Sequence, residues 1–189
     1  MSDFTVKPLD ESCWPAYSAL IERHNGVWGG CWCMGFQNDC QAKYESVAQK
    51  KEDKRRLICA GRAHASVVFD GDTAIGWCQF GPGTMIAPRN KFKKTYFQGL
   101  ESQPDWRITC FFVDRKYRGQ GVSNAALDGA LEMIEKAGGG LVEAYPEDVE
   151  GRTTQGAFIC LGTTGMFERR GFARQRQVAK HHWVMTKTL

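Results

Sequence analysis

The segment from Phe111 to Ser123 carries the residue types best suited to holding a phosphate group. It reads Phe-Phe-Val-Asp-Arg-Lys-Tyr-Arg-Gly-Gln-Gly-Val-Ser, an apolar run followed by a basic, glycine-containing turn. The residues after the turn have helical spacing, and the first N–H groups of a helix lack internal partners and carry partial positive charge. Gly119 and Gly121 have no Cβ, so a ligand can approach the backbone closely. The pattern predicts a pyrophosphate cradle at the start of a helix.

The alternative is an ordinary strand-to-helix turn that needs small residues, with Arg118 as a solvated charge. Two common phosphate motifs are absent from this segment. No Lys-Ser or Lys-Thr pair follows the glycines as in a P-loop, and the G-x-G-x-x-G pattern is incomplete.

Hydrophobic periodicity and turn residues predict a mixed α/β protein in which helices pack on a sheet. The strongest predicted strand is the near-continuous apolar run that precedes the glycine turn, which is typical of the middle of a sheet. The predicted elements are a helix from Cys13 to His24 with Ser12 as N-cap, a helix from about Cys40 to Arg62 broken near Asp53, strands at Ala65 to Phe69 and Thr73 to Phe80, a short helix between Pro88 and Pro104, a strand from Trp106 to Val113, a helix from Val122 that stops at Gly138, a strand from Leu141 to Tyr145, a helix from Thr163 to Arg170, and two strands near Phe172 to Val178 and His182 to Thr186.

The run from Arg118 to Ser123 resembles the signature of the GNAT superfamily of N-acetyltransferases, which is Gln or Arg, two residues, Gly, one residue, then Gly or Ala. A second resemblance lies at Met166 to Phe172, which is similar to the last helix of that family and ends in Gly-Phe. The resemblance covers about Val67 to Leu189. It implies a mostly antiparallel central sheet of about six to seven strands, flanked by about four helices. It also implies one domain over residues 1–189, with a variable helical acceptor-side region at 1–64 and a core with the CoA site at 65–189.

The resemblance implies acetyl-CoA as the co-substrate and assigns roles to the matching residues. The backbone of the strand should pair with the pantetheine arm, and the backbone N–H groups of the turn should hold the pyrophosphate. The strand should also splay from the next parallel strand, so that the thioester can reach the acceptor. The implied cofactor-binding residues are Phe111, Phe112, Val113, Arg118, Gly119, Gln120, Gly121, Val122, Ser123 and Phe167.

Three positions depart from the family pattern. Ser123 stands where Gly or Ala is usual, and a small hydroxyl there should fit and could itself bond a phosphate. Phe167 stands where many relatives carry a tyrosine that protonates the leaving thiolate. The region around Cys160 lacks an asparagine that often faces CoA.

Acetyl transfer to an amine needs a group that removes a proton, because amines are mostly protonated near pH 7. Glu143 and Tyr145 alternate to one face of a predicted strand. If that face looks into the splay, Glu143 could act as the base and Tyr145 could donate to the thiolate. Otherwise Glu143 is a half-exposed strand residue and Tyr145 belongs to the core. Asp114, His181 and His182 are weaker candidates.

The segment from Trp28 to Phe36 is rich in glycine, aromatic residues and cysteine, which predicts a loop. In GNAT proteins this region usually lines the acceptor pocket. The side chains could form an apolar wall for the acceptor, or could cover one end of the core, and both can hold at once. The residues assigned to the acceptor pocket are Trp28, Trp32, Cys33, Met34 and Phe36.

The cysteines of this loop raise two further alternatives. Cys31, Cys33 and Cys40, with His24 nearby, match structural zinc spacing poorly, so no metal is predicted. A thiol at Cys31 or Cys33 could carry the acyl group, although no basic neighbour in sequence would lower its pKa.

The chain has 189 residues, 42% of them hydrophobic and 24% charged, with eight cysteines and a formal net charge of +4. These values are typical of one globular domain. The N-terminal residues lack an apolar signal core, and reduced thiols fit a cytoplasmic location. The basic run Lys50 to Arg56 contains acids and lacks aromatics, so we predict a solvated helix face rather than a nucleic-acid site. No apolar run predicts a membrane helix.

The leading hypothesis is an N-acetyltransferase that acts on a primary amine of a small molecule or a peptide. The second is a non-catalytic acyl-CoA-binding sensor, suggested by Phe167 in the place of the usual tyrosine. The third is a thiol- or metal-binding protein built around Cys31 and Cys33. Relatives in the family often dimerise, so a homodimer is compatible with the resemblance.

Overall fold

The computed structural model describes residues 4–27, 29–38, 46–88, 92–152 and 159–189. Within these ranges the chain forms one seven-stranded sheet and five α-helices. In chain order the elements are β1 (Thr5–Pro8), α1 (Trp14–Glu22), α2 (Val47–Cys59), β2 (His64–Asp70), β3 (Thr73–Pro82), α3 (Lys93–Gln98), β4 (Trp106–Val113), α4 (Val122–Lys136), β5 (Leu141–Ala144), α5 (Thr164–Glu168), β6 (Ala173–Ala179) and β7 (His182–Thr188).

The sheet has the strand order β1-β2-β3-β4-β5-β7-β6. All neighbouring pairs are antiparallel except β4 and β5, which are parallel and joined by the crossover helix α4. The prediction of a mostly antiparallel sheet of six to seven strands is confirmed. The short helix predicted between Pro88 and Pro104 forms as α3, so the described residues contain five helices where the family resemblance implies about four.

Each face of the sheet is covered by its own hydrophobic core. On one face the apolar side of α4 packs against β2, β3 and β4, with Ala126, Leu127 and Ile134 fully buried. On the other face, α1, α2 and the loop after α1 pack around Trp77 of β3. Burial of both faces explains why the central strands are almost wholly apolar.

Strand β4 contains a β-bulge at Thr109. Gln79 of β3 is opposite Cys110, and Phe80 is opposite Ile108, so no residue of β3 stands opposite Thr109 in the register. As a result Ile108 and Phe111 both face α4, although strict alternation would place them on opposite sides. The bulge lies where β4 and β5 separate: their parallel pairing ends at Ile108 and Ala144, whereas β4 continues to Val113.

Several predicted boundaries are corrected by local hydrogen bonds. Helix α1 begins at Trp14, and the prediction of Ser12 as its N-cap is wrong. The Asp10 carboxylate accepts from the N–H of Cys13 at 2.9 Å and from the Ser12 hydroxyl at 2.7 Å. Ser12 therefore donates to Asp10 and does not itself cap the helix.

Helix α2 is continuous, so the predicted break near Asp53 is wrong. The helix begins after Ser46, whose hydroxyl accepts from the N–H of Gln49 at 3.1 Å. The first part of the predicted helix, including Cys40, lies outside the described residues. Strand β1 was not predicted, because it has four residues, one of them a proline, and carries little periodicity. None of the described helices combines the length and the apolar composition needed to cross a bilayer.

Candidate active site

A cleft of about 530 Å³ opens where β4 leaves β5 and α4 begins. One wall consists of the end of β4 and the turn into α4, and the other consists of the segment that leads into α5. The residues that line it are His24, Val27, Phe111, Phe112, Val113, Arg115, Tyr117, Arg118, Gly119, Gly121, Val122, Ser123, Asn124, Ile159, Cys160, Gly162, Thr163, Met166 and Arg169.

The N-terminus of α4 presents backbone N–H groups at this cleft. The first hydrogen bond of the helix runs from the N–H of Ala125 to the carbonyl of Gly121, at 3.0 Å. The N–H groups of Val122, Ser123 and Asn124 therefore precede the intrahelical ladder, and all three residues line the cleft. Such groups, together with the helix dipole, bind anions.

Gly121 fits the predicted role of a close backbone approach. It caps α4 with a left-handed φ of 86°, a conformation that disfavours other residues. A Cβ built at this position meets no atom within 4 Å, so the backbone is open on the side where a ligand would lie. Close packing inside the protein therefore does not explain why residue 121 is a glycine. The left-handed φ of the turn explains it, and so does a backbone that a ligand can approach closely.

Three arginines, Arg115, Arg118 and Arg169, line the same cleft. Together with the helix N-terminus they create a positive field that favours an anionic ligand. The combination of helix N-terminal N–H groups and arginines fits a diphosphate, which carries about two negative charges at neutral pH.

Asp114 connects the end of β4 to helix α1 at the edge of the cleft. Its Oδ2 lies 2.9 Å from Nε of Arg23 and 3.1 Å from Nε2 of His24, while its Oδ1 accepts from the N–H of Lys116 at 3.0 Å. Burial raises the pKa of this carboxyl, but the hydrogen bonds from Lys116, His24 and Arg23 outweigh burial and lower the pKa to about 2. Asp114 is therefore ionised and holds the His24 ring against Phe112.

The edge of β4 that faces the splay is partly occupied by the chain itself. The N–H of Phe111 donates to the carbonyl of Cys160 at 2.7 Å. Because N–H directions alternate along a strand, the N–H of Val113 faces the same side as that of Phe111. The predicted pairing of pantetheine with Phe111 therefore requires the segment at Cys160 to move. Val113 lies further along the cleft wall, beyond this hydrogen bond.

Glu143 and Tyr145 lie together in a buried polar cluster and are not among the described residues that line the cleft. The Tyr145 hydroxyl donates to Oε1 of Glu143 at 2.5 Å, and Nε of Arg107 donates to the Tyr145 hydroxyl at 2.9 Å. Arg107 Nε also lies 3.6 Å from Oε1 of Glu143. Burial, followed by the charge of Glu143, raises the pKa of Tyr145 well above its ordinary value, so Tyr145 stays protonated. Their catalytic roles stay a prediction.

Two other assigned cofactor residues also lie off the cleft wall. Phe167 is fully buried, with its ring 6.1 Å from that of Phe111 and 5.0 Å from that of Phe172. The side chain of Gln120 donates back to the carbonyl of Lys116 at 2.9 Å. Their contacts with the cofactor stay predictions, and for Phe167 the structure shows a core contact to the strand that lines the cleft.

Four of the five residues assigned to the acceptor pocket form part of the core. Trp32, Cys33, Met34 and Phe36 are all buried, and the ring of Trp32 packs 5.7 Å from that of Trp14. Trp28, the fifth of this set, lies outside the described residues. Within the described ranges, no group of three His, Cys, Asp or Glu side chains is placed to hold a metal ion.

Sequence reasoning missed His24 as a residue of the cleft. It was considered only as a neighbour of the loop cysteines, because nothing in the sequence shows that α1 ends beside the end of β4. The signal that could have found it is Asp114, a carboxylate directly after a buried strand, which needs a cationic or hydrogen-bonding partner.

The family model described as the acetyltransferase (GNAT) family matches residues 16–158. The chain therefore belongs to the GNAT acetyltransferase family. No sequence among functionally curated proteins matches it.

Solved structures of acetyltransferases share the fold over nearly their whole length. A histone acetyltransferase HPA2 and related acetyltransferase from Corynebacterium glutamicum is 15% identical with a TM-score of 0.56, over 99% of this chain and 96% of that chain. The PaiA N-acetyltransferase of Thermoplasma acidophilum, solved in complex with coenzyme A, is 12% identical with a TM-score of 0.54, over 99% of each chain. A mosquito arylalkylamine N-acetyltransferase like 5b is 10% identical with a TM-score of 0.57, over 99% of this chain and 100% of that chain. These similarities show the fold.

Proposed function

We propose that the protein transfers an acetyl group from acetyl-CoA to a primary amine of a small molecule or a peptide. The observation that carries the proposal is the cleft at the N-terminus of α4, where the N–H groups of Val122 to Asn124 and the side chains of Arg118 and Arg169 meet. This arrangement suits the diphosphate of CoA, and the family to which the chain belongs consists of acetyltransferases. A CoA complex of one protein with this fold supports the choice of donor.

The donor lies along β4 in this proposal. The diphosphate is held at the start of α4, and the pantetheine arm follows the strand edge past Val113 towards the bulge at Thr109. The thioester then reaches the point where β4 and β5 separate. The same placement puts residues 1–64 on the acceptor side and the CoA site within 65–189 of a single domain. A cytoplasmic location and a homodimer are further parts of the proposal that rest on the family resemblance and the composition, not on this placement.

In the reaction the neutral amine attacks the thioester carbonyl, the C–S bond breaks, and CoA leaves as a thiolate that takes up a proton. The proton of the amine passes to a base. Glu143 remains our candidate, because its carboxylate lies beside Tyr145 on the face of the sheet that α1 and α2 cover. His24 is a second candidate, since among the described residues it is the one imidazole that lines the cleft.

A specific observation favours a second function, that of an acyl-CoA sensor without turnover. Phe167 has no hydroxyl to protonate the thiolate. Of the described residues lining the cleft, Tyr117 is the one tyrosine, and its hydroxyl donates to Asp70 at 2.9 Å. A sensor would bind acetyl-CoA without passing the acetyl group to an amine.

Release of CoA from acetyl-CoA, followed with a thiol-reactive dye across a panel of amines, tests the proposal. The panel contains polyamines, amino acids, aminoglycosides and peptides with free N-termini, and a reaction without acceptor corrects for the protein's own thiols. We expect release that depends on one amine class. Binding of acetyl-CoA with no release for any amine would support the sensor instead.

A further inference from the structure

Two cysteine sulfurs are in contact on the face of the sheet that α1 and α2 cover. Sγ of Cys33, in the loop after α1, lies 3.3 Å from Sγ of Cys110 in β4. Both residues are buried, with 3% and 8% of their surface exposed. A disulfide has an S–S length of about 2.05 Å, so the two sulfurs need to approach by only about 1.3 Å to be joined.

The loop, rather than the strand, is the part that can make this approach. Cys110 is paired with Gln79 inside the sheet, next to the bulge. Trp32 and Cys33 have left-handed φ values of 51° and 52°, which side chains with a Cβ rarely adopt. Cys33 stands at the start of the short 3₁₀ turn Met34–Phe36, so its position depends on loop packing and not on a ladder of hydrogen bonds.

A small void lies beside the two sulfurs. A cavity of about 20 Å³ is bordered by both cysteines, and it shares Val27, Phe111 and Phe112 with the large cleft. A volume of this size holds about one water-sized molecule. Hydrogen peroxide is only slightly larger than water, so a void of this size beside the two sulfurs is suited to hold this oxidant.

The surroundings of the pair shift the pKa values of the two thiols in opposite directions. The hydrogen bond between Cys33 and Cys110 lowers the pKa of Cys33; the charge of Lys54 adds to this effect, and together they outweigh burial. The same contact and burial raise the pKa of Cys110 well above its ordinary value. Cys33 is thus the sulfur that loses its proton first, and the thiolate is the form that reacts with peroxides.

We propose that Cys33 and Cys110 are a redox-modification site, at which hydrogen peroxide converts the two thiols into a reversible disulfide. The Cys33 thiolate attacks one peroxide oxygen, the O–O bond breaks, and a sulfenic acid and hydroxide form; the hydroxide takes up the proton lost by Cys33 and leaves as water. The Cys110 sulfur then attacks the sulfenic sulfur, and its proton leaves with the hydroxyl as a second water. Two thiols are oxidised by two electrons, and one peroxide is reduced to two waters.

The consequence is a covalent link between the loop after α1 and the strand whose residues Phe111 and Phe112 form the cleft wall. The inference does not depend on acetyl transfer, because the thiols and the void exist whether or not the cleft turns over a substrate. Cys31 borders the same void and is the competing partner for Cys33.

The test uses the whole chain, reduced, freed of reductant and treated with hydrogen peroxide at increasing concentration. Remaining thiols are then alkylated under denaturing conditions, and the protein is weighed and mapped by mass spectrometry without reduction. We expect two fewer alkylated thiols than the eight of the reduced chain, a Cys33–Cys110 linked peptide, and full return of the thiols with dithiothreitol.

Matched variants show whether the pair is specific. Cys33→Ser and Cys110→Ser should each lose the linked species, whereas Cys31→Ser should retain it. Cys78→Ser, which removes a buried thiol on the opposite face of the sheet, should also retain it. The proposal is wrong if wild-type protein forms a different pair, if Cys33 is oxidised to sulfinic acid without a link, or if only the exposed Cys59 reacts. The wild-type map decides this even where a variant fails to fold.

Discussion

Replacement of Gly121 by aspartate should weaken the binding of the cofactor strongly and lower the stability of the fold only slightly. Gly121 has a φ of 86°, so any other residue is strained there, by about 1 kcal/mol. A Cβ at this position meets no protein atom within 4 Å, so the side chain has room in the unliganded protein. The Gly121→Asp variant should therefore fold, with a slightly lowered stability.

The cost to CoA binding should be much larger, because the new carboxylate stands where the diphosphate is proposed to lie. Two like charges about 5 Å apart repel by about 3 kcal/mol at an effective dielectric constant of 20. This corresponds to an increase of roughly 100-fold in the Kd for acetyl-CoA. Gly121→Ala adds no charge and should raise the Kd by less than about 10-fold.

Isothermal titration calorimetry with acetyl-CoA measures the effect, and thermal unfolding checks that each variant is folded. Gly61→Asp is the matched control, because Gly61 also has a left-handed φ, of 64°, and an open Cβ position, but it lies after α2 and not at the cleft. It should lose similar stability and no affinity. High salt should reduce the difference between Gly121→Asp and wild type. An unchanged Kd in folded Gly121→Asp would refute the placement of the diphosphate.

Three further predictions follow from the site and its surroundings. The pKa of Asp114 is lowered from 3.8 to about 2, so this carboxylate stabilises the fold above about pH 4 and loses that contribution as the pH falls towards 2. In acid titrations of the free energy of unfolding, Asp114→Asn should remove about 2 kcal/mol of this pH dependence. A variant that keeps the full pH dependence of the wild-type protein between about pH 4 and about pH 2 would contradict the ion cluster. Phe167→Ala should lower the free energy of unfolding, measured in urea, by about 3–5 kcal/mol, because the ring is fully buried. Phe97→Ala is the control and should cost less than about 1 kcal/mol, because Phe97 is 52% exposed. A small loss at Phe167 would argue against its role in the core. If Glu143 accepts the proton of the amine, Glu143→Gln should lower kcat by about 100-fold or more while the Kd for acetyl-CoA stays unchanged, and an unaltered kcat would place the base elsewhere.

The glycine turn and the buried strand before it were predictable because local chemistry dictates them. An apolar β-forming run, two glycines and a helical pattern determine β4, the turn and α4 whatever the rest of the chain does. Val122, Ala126 and Ile134 are buried as their spacing predicts.

Long-range contacts account for what the sequence did not reveal. His24 reaches the cleft because α1 packs on β3 and ends beside Asp114, and the sulfurs of Cys33 and Cys110 meet although they are 77 positions apart. Hydrophobic periodicity within one helix or strand does not predict such contacts between distant parts of the chain. The polar cluster of Glu143, Tyr145 and Arg107 is a related case: alternation correctly placed Glu143 and Tyr145 on one face, but only the packed structure shows that Arg107 binds both.

The most direct test of the account is a crystal structure of the protein with CoA. We expect the diphosphate oxygens within hydrogen-bonding distance of the N–H groups of Val122, Ser123 and Asn124, and the pantetheine arm along the β4 edge towards Thr109. CoA bound at any other surface, or a diphosphate away from the start of α4, would contradict the central claim.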